Sequence, residues 1–477
     1  MNKSLTINYL YNFAYKILTL ITPLITTPYV SRILGVENIG VYNYTYSTLS
    51  YFVLFGVLGF QMYGQREIAY QYNNEECRIK LFWEIALVKL FSITTVTIIY
   101  YLFLLQTEYR LIYAIWGIEL IANAIDISWY YYGMEEFKLI TIRNFIVKLI
   151  GITCIFLFVK SKDDLLIYIF CNVIVLFLGN LSLWLGVKKN IGRPSFDYKR
   201  IFEHLKVAFI FFLPQCLDSI YMLMDKVMLG NLSTMQQVGI YGQADKIIKM
   251  IVTLITSMGL VISPRIAQCY ASKDFINLKK YMRNGFLFVF SLGIPMTFGL
   301  IGIAPVFSDW FFGVGYEGVS KIISMLSPII VFMGLNSVMG WQYLMTVGRE
   351  KDFIKSVAIG ATANLVINTL LIPTMGATGA VIASLVSMIL MTAINMYWIR
   401  NTISYNEIIS MLPKPIFSNI IMFLFVILIG RYVSLGIVTT IVQGIVGIVI
   451  YCALMWLLKD QFMKPYIDKV MRRIIHK

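Results

Sequence analysis

Apolar windows close to 20 residues long recur from one end of this 477-residue chain to the other. About 20 residues of helix span the roughly 30 Å of hydrocarbon in a bilayer. Lipid offers no partner to open backbone, so such windows must be helices or a closed barrel. A barrel would alternate apolar and polar residues, and these windows do not. Composition agrees: 58% of residues are hydrophobic and 14% charged, against roughly 25% charged in soluble domains. Fourteen spans are expected, at about 10–31, 40–63, 81–105, 111–132, 139–159, 165–187, 207–230, 238–262, 286–307, 322–346, 354–372, 377–399, 416–431 and 436–458. The fold class is therefore an all-α integral membrane protein with about 14 transmembrane helices.

Charge sets the direction of threading. With the amino terminus in the cytoplasm, 28 of the 40 Lys and Arg residues fall in inner segments and 6 in outer loops. That asymmetry is the positive-inside signature, and it places both termini in the cytoplasm. The net charge of +15 is thus a topology signal, with attraction to anionic headgroups as a second effect. It does not indicate nucleic acid. The longest hydrophilic stretch, Lys188 to Lys206, reads as a basic inner linker. Asp197 to Phe202 within it reads either as the start of an interfacial amphipathic helix or as solvated chain. The outer loops are too short to hold a folded domain.

The spans are arranged as a duplication. Gly40, Tyr42 and Arg66 recur 199 positions later as Gly239, Tyr241 and Arg265, in matching span context. Six spans separate the copies, so both halves cross in the same direction. Parallel repeats of this kind build one class of secondary transporter. The expected organisation is a six-helix bundle over 1–190, a linker at 191–206, a second six-helix bundle over 207–400, and two further helices with a basic tail over 401–477.

No phosphate-cradling loop, nucleotide motif or catalytic triad is legible. The six cysteines show no disulfide or metal-ligand spacing, and His204 and His476 both fall in expected cytoplasmic segments. No cofactor or metal is expected, and no enzyme activity. What carries chemistry is the set of ionisable residues inside spans, each costing a few kcal/mol unless paired, hydrated or snorkelling. Lys148 lies about 15 Å along its helix from Lys138, near mid-membrane, with Lys89 about 12 Å and Lys16 about 9 Å from the inner edge. The acids Glu84, Glu119, Asp126, Asp218, Asp225 and Asp245 stand against them. Mutual pairing is the plain alternative, with Asp218–Lys249 and Glu119–Lys148 as candidate pairs. Pro23, Pro28, Pro214, Pro295 and Pro328 are expected to kink their spans. Tyr130, Tyr131 and Tyr132 read as an aromatic belt at the membrane boundary.

Two stretches carry a family likeness. Thr26-Thr27-Pro28-Tyr29-Val30-Ser31-Arg32-Ile33-Leu34-Gly35 followed by Gly40-Val41-Tyr42 resembles the opening of Wzx-type polysaccharide flippases. Asp126-Ile127-Ser128-Trp129 with Gly133 and Glu135 looks like that family's D-x-S-W-x-x-x-G-x-E signature. The second half is similar to the wider multidrug/oligosaccharidyl-lipid/polysaccharide exporter superfamily. The resemblance implies two parallel six-helix bundles around a central cavity, plus two carboxyl-terminal helices, in a bacterial cytoplasmic membrane. It implies a substrate as well: an oligosaccharide on undecaprenyl pyrophosphate, moved between leaflets by ion-coupled alternating access. Candidate contacts to the pyrophosphate are Lys16, Arg32, Lys89, Lys148 and Lys249; candidate ion-coupling residues are Glu119, Asp126 and Asp218. Membrane lipids, a polysaccharide polymerase and a chain-length regulator are the partners implied. A teichoic-acid or peptidoglycan-precursor flippase and a drug/cation antiporter are the alternatives.

Overall fold

The structure is a computed structural model describing residues 3–187, 192, 197–433 and 436–475. The side chains of Lys16 and Asp218, like Lys188, Lys189, Arg193 and His476, lie outside the described residues. Every regular element described is helical. The chain divides into two compact units, Met1–Val227 and Met228–Lys477, with the division falling inside one helix.

The first unit begins with α1 (Lys3–Val57), broken at Gly35 with φ 77° and ψ 170°. Only glycine adopts such a backbone without strain, so Gly35 turns one span into the next. Leu58 and Gly59 then take positive φ values of 45° and 74°, ending α1 before α2 (Phe60–Tyr70). The expected span at 40–63 is therefore cut short. Gly59 has a second constraint: a β-carbon there would sit 2.9 Å from the backbone nitrogen of Phe212.

Next come α3 (Glu75–Leu104), α4 (Arg110–Ala124), α5 (Ser128–Gly133), α6 (Phe137–Phe158) and α7 (Leu165–Val187). The Asn74 side chain caps α3 by accepting from the Cys77 amide at 3.1 Å. Helix α1 packs on α3, α4 and α6, and α4 packs on α7. Helix α8 (Tyr198–Leu232) starts in this unit.

One core cluster in the first unit gathers Phe60, Ile68, Phe82, Ile85, Trp129, Tyr130 and Tyr131. Trp129 is 0% exposed and stacks on Phe82 at 5.3 Å. The Tyr131 hydroxyl donates to the Leu183 carbonyl at 2.6 Å. Trp129, Tyr130 and Tyr131 are thus core residues, which corrects the expectation that Tyr130–Tyr132 form a belt at the lipid boundary. The chain break between α4 and α5 turns them inward.

The second unit holds the end of α8, then α9 (Met235–Thr256), α10 (Gly259–Ala271), α11 (Phe275–Phe288) and α12 (Ile294–Phe312). Helices α13 (Val319–Leu326), α14 (Ile329–Asn336), α15 (Glu350–Met375) and α16 (Ala377–Ile399) follow. The chain ends with α17 (Tyr405–Ile409), α18 (Pro413–Tyr432), α19 (Ile437–Leu457) and α20 (Met463–Ile475). π-Helical turns join α11 to α12 at Val289–Gly293 and extend α14 over Ser337–Leu344. Pro295 and Pro328 stand at such junctions, the first at the start of α12 and the second capping α14.

The duplication is visible in each unit's own geometry. Helix α9 gives way to α10 at Ser257–Met258, at the repeat offset from the Leu58–Gly59 break, and the two helices bend by 42°. Asp274 caps α11 through the Asn277 amide at 3.1 Å, as Asn74 caps α3. Among the described residues ten helical stretches are long and apolar enough to cross a membrane, or eleven if the bent pair is one span. The expected spans at 10–31 and 207–230, and residues 40–57 of the one expected at 40–63, lie within the long helices α1 and α8.

Candidate functional site

Among the described residues, Lys148, one of the lysines expected inside spans, has no carboxylate partner. It is half-buried on α6, on the strip shared with Asn144, Val147, Gly151 and Ile155, whereas Phe145, Ile146, Leu149 and Ile150 are exposed. Among the described residues no ion pair forms to Lys148 or to Glu119, so the pair expected between them is absent. An ammonium at mid-membrane depth with no counter-charge is costly unless water or an anion reaches it.

Glu119 lies half-buried on α4, one turn beyond Trp116. Around Trp116 gather Tyr42 at 5.5 Å and Tyr46 at 5.2 Å, and Tyr168 lies 4.9 Å from Tyr42. Tyr46 is exposed rather than packed away. The first unit therefore presents a carboxylate beside phenol rings within an otherwise apolar span.

Lys89 behaves differently. It is 2% exposed, and its Nζ donates to the Asp126 carbonyl at 2.6 Å. Asp126 itself holds the start of α5: Oδ1 accepts from the Ser128 amide at 2.9 Å and Oδ2 from the Ser128 hydroxyl at 3.0 Å. Both residues brace the break between α4 and α5. Lys89, a candidate phosphate contact, and Asp126, a candidate ion-coupling group, are thus both hydrogen-bonded at this break.

Arg32 is exposed near the Gly35 break, and Arg143 is braced by the Gly179 carbonyl and the Asn180 side chain. In the second unit Lys249 pairs with Asp245 on the same helix at 2.8 Å, and Asp245 is 7% exposed. Lys249 thus has a carboxylate one turn away; the side chain of Asp218, its expected partner, lies outside the described residues. A pair at i,i+4 needs no tertiary fold to form.

Sequence reading named Glu84 among the intramembrane acids but gave it no role. Glu84 on α3 is 0% exposed; Oε1 accepts from the Asp197 amide at 3.1 Å, and Oε2 lies 3.0 Å from His204 Nε2. The other ring nitrogen of His204 meets the Tyr63 hydroxyl. Arg200 adds a guanidinium 3.9 Å from the same carboxylate. A cavity of about 280 Å³ beside this network is lined by Arg66, Glu67, Lys80, Arg200 and Glu203. Nothing local in the sequence joins positions this far apart. The one available signal was a buried acid in a span facing a chain with two histidines.

Known proteins share this chain's pattern. The profile of the family described as "Polysaccharide biosynthesis protein" matches residues 5–270, more than half of the chain. The chain belongs to that family. The profile of MatE also matches, over residues 211–374. A family relative, the "Putative O-antigen transporter" of Escherichia coli (strain K12), is 26% identical over 80% of this chain and 92% of its own length. The solved structure "Lipid II flippase MurJ, inward closed conformation" superposes with a TM-score of 0.76, at 14% identity, covering 95% of this chain and 98% of that one. An inward-facing multidrug resistance MATE family transporter gives 0.63 at 15% identity, over 83% and 95%. The polysaccharide biosynthesis family member described here thus has the fold shared by these transporters.

Proposed function

We propose that the chain is a flippase that moves lipid-linked oligosaccharides, as undecaprenyl pyrophosphate conjugates, from the inner to the outer leaflet of a bacterial cytoplasmic membrane. The observation that carries the reading is Lys148, an intramembrane ammonium without a carboxylate partner among the described residues, in a chain of the polysaccharide biosynthesis family. A diphosphate supplies the missing charge. One unit pair at 4 Å is worth about 4 kcal/mol at an effective dielectric near 20. That is enough to select the headgroup and weak enough to release it. A lysine suits this better than an arginine, whose rigid fork holds phosphate in two bonds.

Lys16, Arg32 and Lys249 are the further candidate phosphate contacts, and Glu119 and Asp218 the candidate coupling groups. Alternating access driven by an ion gradient is the mechanism proposed, with no covalent chemistry. The name of the Escherichia coli relative supports the saccharide substrate. A polysaccharide polymerase and a chain-length regulator would act on the delivered product.

The decisive test is translocation of a fluorescent polyprenyl-diphosphate oligosaccharide by the purified protein in vesicles, with a pH or sodium gradient imposed. Protein-dependent transfer between leaflets is expected, and no transfer above protein-free vesicles would overturn the proposal. The MatE match over 211–374 and the unpaired Glu119 favour a cation antiporter as second reading. Resistance of expressing cells to toxic cations, without transfer of the labelled lipid, would select it.

A further inference from the structure

On one face of the second unit the cations outnumber the acids, and every acid is already used. This face gathers the first turns of α11, α17 and α18 and the turn from α19 into α20. Arg283 on α11 donates to Gln461 at 3.1 Å, and Lys414 on α18 donates to the Lys459 carbonyl at 3.3 Å, so these elements meet there. The four acids of these elements are each engaged. Asp274 caps α11, and Glu407 pairs with Lys279 at 2.8 Å. Asp460, 6% exposed, caps α20 through the amides of Phe462 and Met463. Asp468 accepts from the Trp456 indole at 2.8 Å. Lys280, Arg283, Lys414, Lys464, Lys469 and Arg472 have no carboxylate partner among the described residues.

The placement of α20 gives that charge a target. It starts within a few residues of the end of α19, a membrane span, and the Trp456–Asp468 bond folds it back against that span. Met463 packs against the buried cluster of Met422, Val426, Tyr451 and Met455, whereas Lys469 and Arg472 are exposed. Tyr466 is 62% exposed. A short helix seated on a span, with outward cations and an open tyrosine, suits the boundary between headgroups and acyl chains.

We infer that α20, with the cations of α11 and α18 beside it, is a docking surface for anionic phospholipid headgroups of the adjacent leaflet. On the positive-inside orientation this is the inner leaflet. The surface anchors the two carboxyl-terminal helices through lipid charge, and it is separate from any contact with substrate. Each basic residue near an anionic surface adds attraction that salt weakens.

The test uses the full-length protein in nanodiscs of phosphatidylcholine alone or mixed with phosphatidylglycerol. Amide exchange over Met463–Ile475 is the readout. Exchange is expected to slow by roughly tenfold with phosphatidylglycerol, and high salt should reverse part of that. The triple variant K464Q/K469Q/R472Q should lose the lipid dependence while exchange in phosphatidylcholine stays as in the parent, and K464R/K469R should retain it. Equal exchange in the two lipids, or an unchanged lipid dependence in the triple variant, overturns the inference. The readout needs no translocation, so failure of the flippase proposal would not affect it.

Discussion

His204 Nε2 lies 3.0 Å from Glu84 Oε2, and the two residues are 120 positions apart in the chain. This contact, with the Asp197 amide on the other carboxylate oxygen, holds the first turns of α8 against α3 inside the first unit. Glu84 has no exposed surface, so its donors decide whether its burial is tolerated. Both protonation states of the imidazole can stay bonded. A neutral ring accepts from the Tyr63 hydroxyl, and a charged one donates to it.

Glu84→Ala should therefore destabilise the protein by about 1–3 kcal/mol, because two donors lose their acceptor in a buried site. His204→Phe removes one of those donors. The double variant should cost less than the sum of the single ones, a coupling that melting temperatures in detergent would measure. Strict additivity would mean that the two residues do not act together.

Lys148→Met should insert and melt like the parent protein, or slightly higher, since an unpaired charge leaves the membrane. Translocation of the labelled lipid should fall by roughly tenfold or more, as expected when an ion pair worth a few kcal/mol is lost. Unchanged translocation would remove Lys148 from the phosphate contacts.

Lys89→Ala strips the Asp126 carbonyl of its donor and opens space in a packed interior. The expected cost is about 1–3 kcal/mol from the lost bond, with cavity formation adding to it. Lys89→Met, which refills the volume, should recover part of the loss. Complete loss of translocation at unchanged stability would instead mean that Lys89 meets the substrate.

Gly64→Ala is expected to cost about 1–3 kcal/mol, because a β-carbon there would lie 2.6 Å from the Trp129 ring, itself stacked on Phe82. Near-ultraviolet circular dichroism, which reports the packing of buried tryptophan, should change with it. An unaltered spectrum and melting temperature would show that α2 and α5 can separate at no cost.

The Asp274 carboxyl is held below its ordinary value by the Asn277 side chain and the Asn277 amide. A lowered carboxyl stabilises the folded form above the unfolded value of about 4, and that contribution disappears as pH falls through the lower folded value. Amide exchange in the first turn of α11 should accordingly speed up on acidification from about pH 4 downward. In Asp274→Ala it should be fast at every pH, and a parent-like acid response in that variant would assign the effect elsewhere.

Much of this was written along the chain. Apolar run length fixed the helices, because backbone in lipid has no other partner. The Gly40/Tyr42/Arg66 repeat indicated a duplication, and the helix breaks at Leu58–Gly59 and Ser257–Met258, which the expected spans at 40–63 and 238–262 did not foresee, fall at the same offset. Lysines inside spans were visible as anomalies. Their roles were not, since a charge is placed by neighbours remote in sequence. Lys89 found a carbonyl on the loop between α4 and α5, Lys249 found Asp245 one turn away, and Lys148 found no acid. Tyr130 and Tyr131 went into the core, because the bend at Asp126–Ser128 aims that short helix inward. Local covalent order thus determined which segments are helices and where they break. Tertiary packing decided the partners that lie far apart in the chain, such as Lys89 with the Asp126 carbonyl and Glu84 with His204, because those distances are set only by the folded chain.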